Sequence, residues 1–255
     1  GHTMTNFLRT FSAALVAFLL AFSAPALADN AQARQDVLNE NLLSAARAND
    51  AKKVFELLDL GADISATTYN DGGDTAGADE NTYTAAIWLA RHGNSDAVYK
   101  LATAFPSILE QSSELGYSAA IWLALYGDGQ TVLKLAGMLN PAVLEQTNFR
   151  GETTSTLLAA QGKVTSVLNA AVINPTVLEH ANLHGFTPPV LLANLGHFDG
   201  IFNAAVINPA VREQPGIISA AVRLKNIVMV AKLLKDGFAA PNNTDALLKL
   251  LAEGF

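Results

Sequence analysis

The chain has 255 residues, half of them apolar, with 16 basic and 23 acidic residues and no cysteine. A net charge of −7 argues against a nucleic-acid partner, which needs clustered Lys and Arg, and no basic amphipathic helix suggests an anionic lipid surface. Without cysteine there is no disulfide framework, thiol nucleophile, Cys-type zinc site or thiol switch, so apolar burial must hold the fold together.

Gly1–Thr3 stand ahead of Met4 and read as a vector-derived remnant. Met4–Ala28 then reads as a secretory signal peptide: one charge at Arg9, an apolar run at Ala13–Phe22, and a small-residue cleavage site, Ala26-Leu27-Ala28, before Asp29. The apolar run is about 10 residues, short of the ~20 that span a bilayer, so no stable membrane insertion is expected after cleavage. Residues 1–28 hold one Arg and no acid, so removing them takes the net charge from −7 to −8. Residues 29–38 form a polar run-in.

From Asn39 the chain repeats itself. Leu42, Leu43, Ala45 and Ala46 put apolar side chains on one side of a short helix. Asn49-Asp50 turn the chain, Val54, Leu57 and Leu58 stripe a second helix, and Gly61 stops it. Further on, Gly116, Gly151 and Gly185 open successive units, and Gly127, Gly162 and Gly196 each follow 11 residues later. The opening glycines step by 35 and then 34 residues, and so do the second ones. Thr82 and Gly93 take the same two positions upstream. A closing motif repeats in register: Phe105-Pro106, Asn140-Pro141, Asn174-Pro175 and Asn208-Pro209, each leading into Glu110, Glu145, Glu179 and Glu213. A period of this size is the mark of a stacked-repeat solenoid.

These units resemble ankyrin repeats. The Ala45-Ala46 pair, the turn three residues on, Leu57-Leu58 and the Gly61-Ala62-Asp63-Ile64 ending match that family's pattern. So do the Gly-x-Thr/Ser openings at Gly116, Gly151 and Gly185. The resemblance runs from Asn39 to about Phe238 and implies an all-α, ankyrin-like helical repeat solenoid of about six repeats. There are departures. The family's Thr-Pro-Leu-His opening survives only at Thr187-Pro188, and its His position holds Ile87, Ile121, Thr156 and Val190. The Asn-Pro endings replace Gly-Ala-Asp and predict a different curvature, since proline cannot continue the second helix. A final helix within 239–255, N-capped by Asn243 or Thr244, is expected to close the stack.

One long acidic inter-repeat loop, residues 65–81, carries Asp71, Asp74, Asp79 and Glu80. A solvated loop, a partner-binding finger and a calcium site all remain open readings, although the EF-hand acidic spacing is missing.

Little points to catalysis or to a cofactor. No Gly-x-Ser-x-Gly, His-Glu-x-x-His or phosphate loop occurs. His180 and His184 stand four apart, but the register puts an extended turn between them. Glu110, Glu145, Glu179 and Glu213 read as turn-stabilising carboxylates, because one active site does not need four copies. Trp88 and Trp122 hold equivalent positions, which favours core packing over a ligand platform.

In the ankyrin architecture the turn tips and the adjoining first-helix surface form the binding face. Carried over position by position, that face offers Tyr83, Tyr117 and Phe186 after the openings, and Phe149, Arg150 and His184 at the tips. Arg91, His92, Tyr126 and Leu195 come from the ends of first helices. Aromatics and Arg where the scaffold does not require them are common interface anchors, and scattered surface residues would give the same pattern. The expected function is that of an exported, periplasmic, monomeric protein-binding module without chemistry of its own. The expected partner is a peptidoglycan-active enzyme or toxin, which this chain would inhibit as a self-protection (immunity) protein. An acidic scaffold suits a basic partner. A secreted effector acting on host proteins and an accessory to envelope stress defence are the alternatives.

Overall fold

The computed structural model describes residues 28–69, 82–242, 247, 249 and 253. The expected signal peptide and the acidic part of the long loop lie outside these residues. Among the described residues the fold is all-α, apart from one short hairpin. No helix there is long and apolar enough to cross a membrane.

Helix α1 covers residues 28–47, so the run-in at 29–38 is helical. Its first half lacks a buried apolar face. Bonds between side chains four apart, Gln32 to Asp36 at 2.8 Å and Gln35 to Asn39 at 2.9 Å, brace it instead. Its second half buries Leu42, Leu43, Ala45 and Ala46 against the core. Helix α2 follows at Ala51–Asp59, capped by the Asp50 side chain.

The chain then forms successive helix pairs. These are α3 (Ala85–Arg91) with α4 (Ser95–Ala104), α5 (Ala119–Tyr126) with α6 (Gly129–Lys134), and α7 (Thr154–Ala160) with α8 (Val164–Ile173). After them come α9 (Pro188–Asn194) with α10 (Phe198–Ile207), and α11 (Gly216–Arg223) with α12 (Ile227–Lys235). First helices pack in series, α3 on α5, α5 on α7, α7 on α9 and α9 on α11. Second helices form a parallel row, α4 to α6 to α8 to α10. Helix α5 is apolar nearly all round because neighbours cover both sides; every residue of Ala119–Ala124 is buried.

Each of the middle first helices begins in the same way. The Thr84, Ser118, Thr153 and Thr187 side chains accept the backbone N–H of Ile87, Ile121, Thr156 and Val190. The hydroxyl position therefore serves as an N-cap, and no histidine three residues on is needed for it. The second helices α6, α8 and α10 lead into Asn-Pro 3₁₀ turns, and α4 into a Phe105-Pro106 one. The Asn140, Asn174 and Asn208 side chains accept from Ala142, Thr176 and Ala210 N–H, and proline supplies the fixed φ at the first position of the turn.

The unit that is 35 residues long instead of 34 places its extra residue in its second helix. Residues Leu135–Leu139 after α6 wind as a π-helix, and Asn140 regains the register of the other units.

The recurring carboxylates do not share one role. Glu110, Glu145, Glu179 and Glu213 are all exposed, and among them Glu179 accepts a bond from Asn208 Nδ2 at 3.0 Å. The next position makes the cross-unit bond: Gln146 donates to Leu109 O at 2.6 Å and Gln214 to Leu178 O at 2.8 Å. His180, at that same position, pairs its ring with Gly151 O at 3.1 Å, away from His184.

The long loop leaves and re-enters the fold as an antiparallel hairpin, β1 (Thr67–Tyr69) with β2 (Thr82–Thr84), in register Thr68↔Tyr83. At the C-terminus, residues 247, 249 and 253 are helical and Leu247 is buried, in the segment expected to close the stack; residues 243–246 and 251 lie outside the described set.

Candidate functional site

The side chains at the ends of α1, α3 and α5 meet in a ladder of alternating cations and rings. Arg47 lies 5.3 Å from the centroid of Trp88, and Arg91 lies 5.5 Å from the same ring. Arg91 also contacts Trp122 at 5.6 Å and Tyr83 at 5.5 Å. Trp122 then stacks on Tyr126, centroids 5.7 Å apart and planes 16° apart. Arg47 and Arg91 hold equivalent positions, each two residues before a turn residue with positive φ, Asn49 and Gly93. The first two units thus deliver one guanidinium each to the same face.

A branch leads to the fingers that precede the first helices. Tyr117 stacks on Trp122 at 4.6 Å and reaches Phe149 on the next finger at 6.2 Å. Arg150 covers Phe149 at 5.2 Å. Backbone bonds fix the spacing of the fingers: Phe149 N–H to Leu115 O at 2.8 Å and Leu183 N–H to Arg150 O at 3.0 Å. Glycine makes this close approach possible. A Cβ on Gly116, at φ +82°, would stand 2.6 Å from Thr147 O.

The ladder is buried at one end and open at the other. Trp88 and Trp122 are 3% and 9% exposed, and neither indole N–H has a hydrogen-bond partner among the described residues. Tyr126 and Phe149 are 62% and 50% exposed. Buried tryptophans thus form a floor on which Tyr126 stacks directly, while Phe149 reaches it through half-buried Tyr117.

The ten residues singled out from the sequence fall into four groups. Arg91, Tyr117, Tyr126, Phe149 and Arg150 belong to this cluster. Tyr83 is fully buried, set edge-on against Trp88 at 4.9 Å, and braces the ladder from within. His92 is exposed, with its ring nitrogen 2.6 Å from Arg47 O, so it ties adjacent units together. His184 and Phe186 form a separate pair on a later finger, 6.4 Å apart, and Leu195 is exposed at the end of α9 in the same unit. Arg47 and the two tryptophans are members that the position-by-position reading left out. Arg47 was legible as the counterpart of Arg91 in the first unit.

Among the described residues there is no group of three or more His, Asp or Glu side chains that could hold a metal. The cluster offers flat rings and guanidiniums. No family model matches the chain, and no curated protein matches it at a significant level.

Proposed function

We propose that this chain is a non-catalytic, ankyrin-like repeat solenoid that docks a protein partner on the aromatic–arginine face. The single observation that carries this reading is the pair of exposed rings, Tyr126 stacked on buried Trp122 and Phe149 reached through Tyr117. Rigid aromatic anchors of this kind dominate binding energy at protein interfaces, because little side-chain entropy is lost when they are covered. The serial packing of first and second helices supports the solenoid, and such stacks present extended faces.

The partner class we propose is a basic, wall-acting hydrolase or toxin in the bacterial envelope, held inactive by the bound solenoid. The signal-like N-terminus and the acidic charge of the chain favour this reading. The test is a capture of envelope proteins with residues 29–255 as bait, beside a Tyr126→Ala/Phe149→Ala bait, with turbidity clearing of purified cell walls as the activity readout. A hydrolase that is captured by the native bait, lost with the double variant and inhibited in the clearing assay supports the proposal. Unchanged clearing activity, with no hydrolase captured, overturns it.

A further inference from the structure

The ladder has a rule. Trp88 is contacted by Arg47 and Arg91, Tyr83 and Trp122 by Arg91, and Phe149 by Arg150, so each of these rings carries a guanidinium of the chain's own. Tyr126 differs. Its ring is stacked on Trp122, no cation of the described residues lies over it, and it is the most exposed ring of the cluster. The series Arg47–Trp88–Arg91–Trp122–Tyr126 stops on an aromatic rung. The following unit offers no guanidinium to continue it, because Ala160 and Gln161 hold the positions equivalent to Leu125 and Tyr126. Gln161 is moreover committed to Ala124 O at 2.7 Å.

We infer that the outward face of Tyr126 is the seat of a cationic side chain, an arginine or lysine presented by the partner. The inference rests on the docking reading above and names the chemistry of its central contact. An electron-rich ring already stacked on a second ring, with one side open, is the arrangement that attracts guanidinium and ammonium groups. Charge agrees with it. The chain is acidic overall at −7, so long-range attraction favours a basic partner even though Arg47, Arg91 and Arg150 stand in the same cluster.

The probes are three short peptides, tetra-arginine, tetra-lysine and the uncharged isostere tetra-citrulline. They are titrated at fixed ionic strength into the chain with its tyrosines isotope-labelled, and followed by NMR of the ring resonances. Tyr126→Leu removes the ring and leaves the net charge unchanged; Tyr126→Phe keeps a ring. Tetra-arginine and tetra-lysine are expected to shift the Tyr126 resonances. Tyr126→Leu should weaken tetra-arginine at least about fivefold, roughly 1 kcal/mol, with Tyr126→Phe near the native value and tetra-citrulline unaffected. Equal tetra-arginine affinity for the native chain and Tyr126→Leu would show general attraction to an acidic protein and overturn the inference. So would the absence of any Tyr126 shift at millimolar peptide. A partner captured by the native bait alongside a negative peptide titration would refute the cation seat and keep the docking face. A positive titration with no captured partner would do the reverse.

Discussion

The most exacting test of the packing lies in α7, where one unit departs from its neighbours. The first helices open with Ala85-Ala86 in α3, Ala119-Ala120 in α5 and Pro188-Pro189 in α9, and with Thr154-Ser155 in α7. Both α7 side chains are 0% exposed, and the Thr154 Oγ1 and Ser155 Oγ hydroxyls have no hydrogen-bond partner among the described residues. An orphaned buried hydroxyl costs about 1–3 kcal/mol of lost hydration. Ser155→Ala removes it with almost no change of shape and adds ~0.5 kcal/mol of helix propensity. The expected gain is about 1–2 kcal/mol, a rise in Tm of roughly 3–6 °C for a chain of this size. Thr154→Val, which exchanges the hydroxyl for a methyl, should gain about 1 kcal/mol. Thr154→Ala also deletes a buried methyl worth ~1 kcal/mol and should be nearly neutral. Circular dichroism melts and urea midpoints of the three variants, at constant urea slope, decide the matter. If Ser155→Ala and Thr154→Val both lower the midpoint, the hydroxyls are satisfied in the folded state and the reasoning fails.

Gly93→Ala should destabilise the fold by about 2 kcal/mol or more, because its Cβ at φ +72° would stand 2.3 Å from Tyr126 O, whereas Gly61→Ala meets open space and should lose ~1 kcal/mol for its positive φ alone. Thermal melts of the pair give the ranking, and equal losses would remove the steric argument. Gln146→Ala strips the bond to Leu109 O and should cost about 1–2 kcal/mol, with little change for the exposed neighbour Glu145→Ala; equal urea midpoints would return the role to the carboxylate. Arg91→Leu removes one cation from three rings and should lower stability by about 1–2 kcal/mol while altering tryptophan emission, and an unchanged spectrum would mean that the ladder does not persist in solution.

The turn glycines and Asn-Pro endings made the helix pairs legible, because both kinds of residue answer local backbone demands that recur along the chain. Gly93, Gly162 and Gly196 do take positive φ. Gly127 does not; its φ is −104°, and Asp128 instead caps α6 from an extended conformation. The helical run through 29–38 was illegible because it shows no apolar stripe, the signal by which a surface helix is read from sequence. At the candidate site, the equivalence of positions picked out Arg91, Tyr126, Phe149 and Arg150. It misjudged Tyr83. Tyr83 matches half-buried Tyr117 by position, yet it lies on β2, where β1 pairs alongside, and is fully buried. Gln146 and Gln214 escaped notice because their partners sit in the preceding unit, 37 and 36 residues away, beyond any short-range pattern.

The π-helical turn at Leu135–Leu139 has a consequence for how such an array tolerates length changes. In most folds a one-residue insertion in a buried helix rotates everything after it by about 100°. Here the surplus residue is confined to five positions, and the exposed Gly137 and Met138 lie among them. Downstream, Asn140-Pro141 starts the next turn on time. The second helix of this unit thus works as a slack coil between fixed clasps, and the extra residue is taken up before it reaches the next unit. Deleting Gly137 should return the segment to ordinary α-helix and leave the fingers, the caps and the Trp122–Tyr126 stack in place. The same deletion in α5, between the Ser118 cap and Gly127, would find no slack.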